Sequence, residues 1–104
     1  MMDTQLGINQ ERLLDASEIL RALAHPLRLR LLSFIDSNGS VNVNKIYNTL
    51  HLEQSITSQH LRILRQQNLV LTEREGKFIH YRVNHKKIAT AVAAVNKFLD
   101  IQED

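Results

Sequence analysis

Residues 54–68, QSITSQHLRILRQQN, combine polar and aliphatic side chains at helical spacing. On a helix that turns about 100° per residue, one side presents hydroxyl, amide and guanidinium groups, carried by Ser55, Ser58, Gln59, Arg62 and Gln66. Such groups hydrogen bond to phosphates and to base edges in a DNA major groove, where Arg matches guanine and Gln matches adenine. Ile56 is placed to contact a thymine methyl group. Because the segment contains no carboxylate to repel phosphate, this side predicts a DNA-reading surface.

The other side of the same segment predicts which residues pack the helix against the rest of the domain. Thr57, Leu61, Leu64 and Asn68 fall together and form the expected buried stripe. His60 lies beside this stripe, so we expect a partly buried histidine bonded to backbone rather than a base contact. An ordinary solvated face is the alternative for the polar side. Solvated faces usually mix Glu and Lys, however, and the mixture of Ser, Gln and Arg favours DNA recognition.

The elements around this helix follow from the spacing of apolar residues. Helices are predicted over residues 9–24 with Asn9 as N-cap, from Pro26 to Asn38-Gly39, and over residues 42–51. In the second helix we expect Leu29, Leu32 and Phe34 or Ile35 to face inward. The segment LVLTEREGKFIHYRV then alternates around Gly76, which predicts a β-hairpin. Asn84 is placed to cap a last helix, HKKIATAVAAVNKFLDIQ.

The predicted hairpin carries basic side chains at its tip. Arg74 and Lys77 flank Gly76, which suits a contact with a phosphate backbone or a minor groove. The alternative is a plain basic turn, because Glu73 and Glu75 dilute the charge. Residues 54–87 hold seven basic and two acidic residues, whereas residues 1–20 hold one basic and four acidic residues. This uneven charge indicates an anionic partner.

Length and composition exclude several classes of protein. A chain of 104 residues is the size of one compact domain. It contains no cysteine, which removes disulfides, thiolate metal sites and cysteine nucleophiles and fits a cytoplasmic protein. We expect neither a secretory signal nor a membrane span. The sequence also lacks a Gly-rich phosphate loop, Gly-x-Ser-x-Gly and His-Glu-x-x-His, so we do not expect an enzyme.

Three segments together carry a family resemblance: LRALAHPLRLRLLSFI, QSITSQHLRILRQQNLV and EGKFIHYRV. They resemble the ArsR family of bacterial winged-helix repressors, from about Leu20 to Val83. The resemblance implies one winged helix-turn-helix domain over residues 1–104, mainly α with a small β-hairpin wing. It also implies a homodimer on an inverted-repeat operator in double-stranded DNA, usually repressing a nearby promoter. The expected DNA contacts are Ser55, Ile56, Ser58, Gln59, Arg62, Arg74 and Lys77.

The resemblance further implies that the first and last helices form the dimer interface. The last helix has a broad apolar stripe, which exceeds what the core of one small domain can bury. The alternative is a helix that packs on its own core, and part of the stripe must do so. A twofold dimer would place two recognition helices roughly 34 Å apart. The predicted interface residues are Leu13, Leu20, Ile88, Val92, Val95 and Leu99.

Many members of the family sense metals, but this sequence departs from their ligand sets. The start of the third helix reads VNVNKIY, without cysteine, and the last helix offers His85 followed by two lysines. Val, Asn and Lys are poor ligands for such ions. We therefore expect no metal site and no other cofactor, and the effector is unknown. The remaining histidines, His25, His51, His80 and His85, are expected to be surface or capping residues.

Two questions stay open at the level of sequence. Arg30 is expected to anchor a carboxylate or a helix terminus, whereas Arg28 has either that role or a phosphate contact. The alternative function is a winged-helix protein–protein interaction module. Such modules carry apolar or acidic residues on the recognition face, so Ser55, Gln59 and Arg62 argue against it.

Overall fold

The computed structural model describes residues 6–100 of the chain. Within this range the elements, in chain order, are α1 (Gln10–Leu23), α2 (Pro26–Asn38), β1 (Val41–Asn42), α3 (Val43–Leu50), α4 (Gln54–Gln66), β2 (Val70–Glu75), β3 (Phe78–Val83) and α5 (His85–Phe98). The predicted order of four helices, a hairpin and a helix is confirmed. The last helix was predicted to continue to residue 102, but α5 ends at Phe98, because Leu99 is its C-cap and Asp100 has φ 55°. Residues 101–102 lie outside the described residues. None of the described helices is long and apolar enough to cross a membrane.

Side chains next to the helices determine where the helices begin. Asn9 Oδ1 accepts from the backbone N–H of Arg12 at 3.0 Å, and Asn84 Oδ1 accepts from that of Lys87 at 3.2 Å. His25 Nδ1 caps α2 through the N–H of Leu27 at 3.1 Å, with Pro26 in the first turn. The predicted caps and the predicted position of Pro26 are confirmed, because each depends on residues adjacent in sequence.

The core is apolar and receives residues from both the helices and the sheet. In α2 the buried residues are Leu31, Leu32 and Ile35. The expectation that Leu29 faces inward is wrong, because its side chain is 51% exposed. Leu31 and Ile35 lie one helical turn apart and define the inward line, and a residue two positions from Leu31 points away from it.

The sheet has three antiparallel strands in the order β1–β3–β2. Glu75 pairs with Phe78, which leaves Gly76 and Lys77 as a two-residue turn, and Gly76 has φ 62°. Positive φ is the conformation that such hairpin turns require, so the predicted hairpin is confirmed. Strand β1 was not predicted. It has two residues, too few for an alternating pattern, and it depends on pairing with distant β3.

Helix α4 is held by its buried side. Thr57, Leu61 and Leu64 are buried, as predicted. Asn68 is not part of that side: it is exposed, lies beyond the helix and has φ 59°. The backbone N–H of Leu69 donates to Leu64 O at 2.9 Å, and the N–H of Asn68 donates to Arg65 O at 3.0 Å. These two bonds close the helix by a Schellman motif, in which Asn is an accepted left-handed residue.

Candidate DNA-binding surface

The polar side of α4 is exposed in the folded chain. Leu61 and Leu64 face the core from the opposite side, so their burial determines which residues point outward. The predicted reading residues on α4 are all exposed: Ser55, Ile56, Ser58, Gln59 and Arg62. The helix therefore presents two hydroxyls, an amide, a guanidinium group and one aliphatic side chain on a single surface, which we call the reading face.

A carboxylate lies against the start of the reading face. Glu53 Oε1 accepts from the Ser55 hydroxyl at 2.6 Å and from the Ser55 backbone N–H at 3.2 Å. Glu53 Oε2 accepts from the Ile56 N–H at 3.1 Å. The Ser55 hydroxyl and then the two amides lower the pKa of Glu53 below its usual value. The sequence prediction does not include Glu53, because Glu53 precedes the helical segment 54–68 that carries the predicted reading residues. Its position directly before the helix was the available signal.

A tyrosine holds the second hydroxyl of the reading face. Tyr47 Oη lies 2.7 Å from Ser58 Oγ, and this hydrogen bond joins α3 to α4. In the sequence, Tyr47 falls at helical spacing with Val43, Ile46 and Leu50, which places it on the apolar side of α3. The contact was not predictable from spacing, because it depends on how the two helices cross. It restricts the orientation of Ser58 without burying its side chain.

The tip of the wing is basic and exposed. Arg74 lies near the end of β2, where it pairs with Ile79, and Lys77 lies in the turn; both are solvent exposed. Arg74 Nε donates to Gly76 O at 3.2 Å, so this side chain folds over the turn. Glu75 Oε2 lies 3.6 Å from His80 Nε2 on the neighbouring strand. Lys77 is exposed and forms no salt bridge with another described residue, so its ammonium group is available to an anion.

An arginine and two histidines meet between α1, α2 and α4. Arg28 Nη1 lies 3.3 Å from His60 Nδ1, and the His60 ring lies 4.6 Å from the His25 ring. His60 is partly buried as predicted, but the expected backbone bond is wrong, because the guanidinium of Arg28 occupies its Nδ1 side. Partial burial, and then the charges of His25 and Arg28, lower the pKa of His60.

Arg28 also anchors the end of α1. Its Nε donates to Ala22 O at 2.8 Å, and its Nη2 donates to Arg21 O at 3.0 Å. A cation is favourable at a helix C-terminus, where carbonyl groups lack helical partners. Arg30 is exposed and makes no side-chain hydrogen bond with the described residues. The anchoring role expected for Arg30 therefore belongs to Arg28.

The predicted interface residues lie in or beside an apolar groove between α1 and α5. The groove has a volume of about 550 Å³. Leu13, Leu20, Val92 and Leu99 are between 40% and 56% exposed, and Phe98 is 87% exposed. Ile88 differs, because it packs against the hydrophobic core. The groove is lined by Leu13, Ala16, Ile19, Leu20, Lys87, Thr90, Ala91, Ala94, Val95, Phe98 and Leu99.

The side chains near the start of α5 do not fit a zinc ion. Asn84 is occupied as a helix cap, and His85 Nε2 pairs with Asp36 Oδ1 at 2.5 Å. Across residues 6–100, no three His, Cys, Asp or Glu side chains lie close enough to hold a metal ion together. One imidazole and one carboxylate next to two lysines make a poor ligand set for zinc.

Comparison with known proteins agrees with this geometry. Residues 25–72 match the family described as "Bacterial regulatory protein, arsR family". The transcriptional repressor PagR of Bacillus anthracis is 33% identical over 82 residues, which cover 79% of this chain and 82% of that protein. The biofilm growth-associated repressor of Agrobacterium fabrum is 34% identical over 86 residues, covering 83% of this chain and 73% of that protein.

Solved structures show the same fold. NolR from Sinorhizobium fredii has a TM-score of 0.70 and 31% sequence identity, with 88% of this chain and 93% of that chain covered. PagR and the biofilm growth-associated repressor are named as repressors rather than as enzymes. The chain belongs to the arsR family of bacterial regulatory proteins, which are DNA-binding transcriptional regulators with a winged helix-turn-helix fold.

Proposed function

We propose that this protein is a transcriptional repressor that binds an inverted-repeat operator as a homodimer and works in the cytoplasm. The observation that carries the proposal is the reading face of α4, which is polar, exposed and held by a buried apolar side. Relatives of this chain are named as repressors. A helix of this kind, preceded by a shorter helix and a tight turn, is the part of a helix-turn-helix that enters the major groove.

The side chains divide into base contacts and phosphate contacts. Arg62 and Gln59 supply the donors and acceptors that distinguish base pairs in the major groove. Arg74 and Lys77 supply positive charge at the wing tip, where they orient the protein on the backbone without reading sequence. The proposal assigns these roles to the four side chains because they are exposed and form few competing bonds with the described residues.

A second copy of the chain is the proposed occupant of the α1–α5 groove. The groove is apolar, and Phe98 and Leu99 leave much of their surface in water. Twofold pairing of equivalent surfaces is the commonest way to bury such a patch. The two reading faces would then contact half-sites separated by about one turn of DNA, roughly 34 Å.

Substitution of the base-reading side chains tests the proposal. Arg62→Ala and Gln59→Ala should each weaken binding to the selected operator by about 1–3 kcal/mol per half-site. Operator DNA is first enriched from genomic fragments with the wild-type protein, and affinities are then measured by fluorescence anisotropy. Arg30→Ala removes an exposed guanidinium group from α2 and is the matched control, with wild-type affinity expected.

Two results would contradict the proposal. If both α4 variants bind the operator like wild type, the reading face has been assigned to the wrong surface. If affinity does not change with salt concentration, phosphate contacts are absent, because they make log affinity fall steeply with log salt. The second result would favour the alternative, a winged helix that contacts another protein.

A further inference from the structure

The hydroxyl of Ser55 has no hydrogen left to offer to a ligand. Its oxygen lies 2.6 Å from Glu53 Oε1, a distance typical of a hydroxyl that donates to a carboxylate. An ionised carboxylate only accepts hydrogen bonds, and a serine carries a single hydroxyl hydrogen. The Ser55 hydroxyl is therefore the donor in this pair. Only its lone pairs remain to face outward from the reading face.

Glu53 is held in the charged form that this arrangement requires. Three donors converge on its carboxylate, namely the Ser55 hydroxyl and the N–H groups of Ser55 and Ile56. These bonds lower its pKa, so the carboxylate stays ionised at neutral pH. Glu53 forms no salt bridge with a described residue that would draw it away.

Ser58 provides a comparison on the same helix. Its partner is the Tyr47 hydroxyl at 2.7 Å, and either oxygen of that pair can be the donor. Ser58 therefore keeps the ordinary ability of serine to donate or to accept. Ser55 does not, because a carboxylate cannot exchange roles with it. The two serines of one reading face have different hydrogen-bonding capacities.

We propose, resting on the function proposed above, that Ser55 reads the exocyclic amino group of an adenine or a cytosine, with Glu53 as its positioning residue. These amino groups are the hydrogen-bond donors that bases present in the major groove, whereas guanine N7 and O6 and thymine O4 are acceptors. A hydroxyl that can only accept a hydrogen bond therefore matches an amino group and does not match guanine N7, guanine O6 or thymine O4. Donation to a carboxylate also makes the oxygen a stronger acceptor.

Glu53 also removes a competing contact from the start of α4. The free N–H groups at a helix N-terminus commonly bind phosphate. Here the N–H groups of Ser55 and Ile56 are already bonded to Glu53, and the negative charge of the carboxylate repels a DNA phosphate. Ser55 is thereby directed toward bases rather than toward the backbone.

Deletion of single base atoms tests the proposal. The operator selected by wild-type protein is resynthesised with one adenine replaced by purine, or one cytosine by pyrimidin-2-one, so that only the amino group is lost. A second series replaces purine N7 with carbon. Affinities of wild type and Ser55→Ala for each probe form double-mutant cycles.

One amino group per half-site should couple to Ser55. Its deletion should weaken wild-type binding on the order of fivefold, the ratio that corresponds to one hydrogen bond. The same deletion should weaken Ser55→Ala no further. Glu53→Gln should reduce this coupling, because a neutral amide binds the Ser55 hydrogen less strongly and brings a donor of its own. Glu73→Gln removes a carboxylate from β2 and should leave the coupling unchanged.

The remaining outcomes overturn the proposal in distinguishable ways. Coupling of Ser55 to a purine N7, or to no base atom at all, would show that it does not read an amino group. If the coupling between Ser55 and the base amino group is unchanged in Glu53→Gln, Glu53 does not position Ser55. If wild type selects no operator, the function proposed above fails as well. Ser55→Ala keeps the capping carboxylate, so it remains informative if Glu53→Gln does not fold.

Discussion

The imidazole of His60, on α4, contacts two side chains from the start of α2, and its pKa is lowered. Its ring lies against His25 and its Nδ1 faces the Arg28 guanidinium at 3.3 Å. A neutral ring accepts from arginine there, whereas a protonated ring would place two cations side by side. The pKa of His60 is lowered chiefly by partial burial, and then by the charges of His25 and Arg28.

The free energy of unfolding should therefore fall as the solution becomes acidic. The folded pKa of His60 lies below its ordinary value of 6.5, so between the two values the unfolded chain binds more protons. The stability from the neutral ring is complete above the unfolded pKa and is lost as pH falls below it. Urea titrations from pH 7.5 to pH 5 measure this slope.

Two variants distinguish the contribution of His60 to this pH dependence from the contributions of the other histidines. His60→Gln should flatten the pH dependence, because the amide oxygen accepts from Arg28 without titrating. His51→Asn removes an exposed imidazole at a left-handed position, φ 52°, where Asn is well tolerated, and should retain the wild-type slope. An unchanged slope in His60→Gln would place the titrating group elsewhere.

Among the helices, α1 is joined to its neighbours by Arg28, whose three donor nitrogens reach α1 and α4. Arg28→Ala should reduce the free energy of unfolding by about 1.5–3 kcal/mol, since it removes charged hydrogen bonds to the carbonyls of Ala22 and Arg21. Chemical denaturation at pH 7.5 measures the loss. Arg30→Ala, on the same helix, should change stability by no more than about 0.5 kcal/mol. Equal losses in both variants would contradict the anchoring role.

Elements that depend on nearby residues were predictable from sequence. The helix caps at Asn9 and Asn84 and the turn at Gly76 follow from local hydrogen bonds and local φ preferences. Short strand β1 was missed because its partner lies about 40 residues away in the chain. Leu29 was misplaced because several leucines in α2 allowed more than one helical phase.

The reading face likewise has features that were predictable from the sequence and features that were not. Its outward residues follow from the apolar spacing of Leu61 and Leu64, so they were predictable. The bonds that Ser55 and Ser58 make with Glu53 and Tyr47 were not, because they depend on side-chain conformations across a turn and between two helices.

On the scale of the whole molecule, the α1–α5 groove is the surface that a second copy is proposed to cover. Val92 lies beside this groove, in an adjoining apolar hollow that it lines with Leu20 and Val95. Val92→Glu should convert the dimer to a monomer, because it would bury a carboxylate in an apolar interface. Sedimentation velocity over a range of protein concentrations measures the change. Val92 is 44% exposed in the single chain, so the substitution should leave the fold intact.

Leu29→Glu is the matched control for this test. Leu29 is 51% exposed, lies on α2 and does not line the groove. The variant should remain dimeric and keep its operator affinity. If instead Leu29→Glu is monomeric and Val92→Glu remains dimeric, the chain associates through a different surface.

Strand β1 is only two residues long, yet it has a consequence for the thermodynamics of DNA binding. Val41 and Asn42 pair with Tyr81 and His80 at the base of the wing, and Asn42 also caps α3. The helix-turn-helix and the wing base are thus preorganised in the free protein. Ordering one flexible residue costs about 1–2 kcal/mol of conformational entropy. Because this part of the backbone is already ordered, we expect the protein to lose little conformational entropy when it binds its operator.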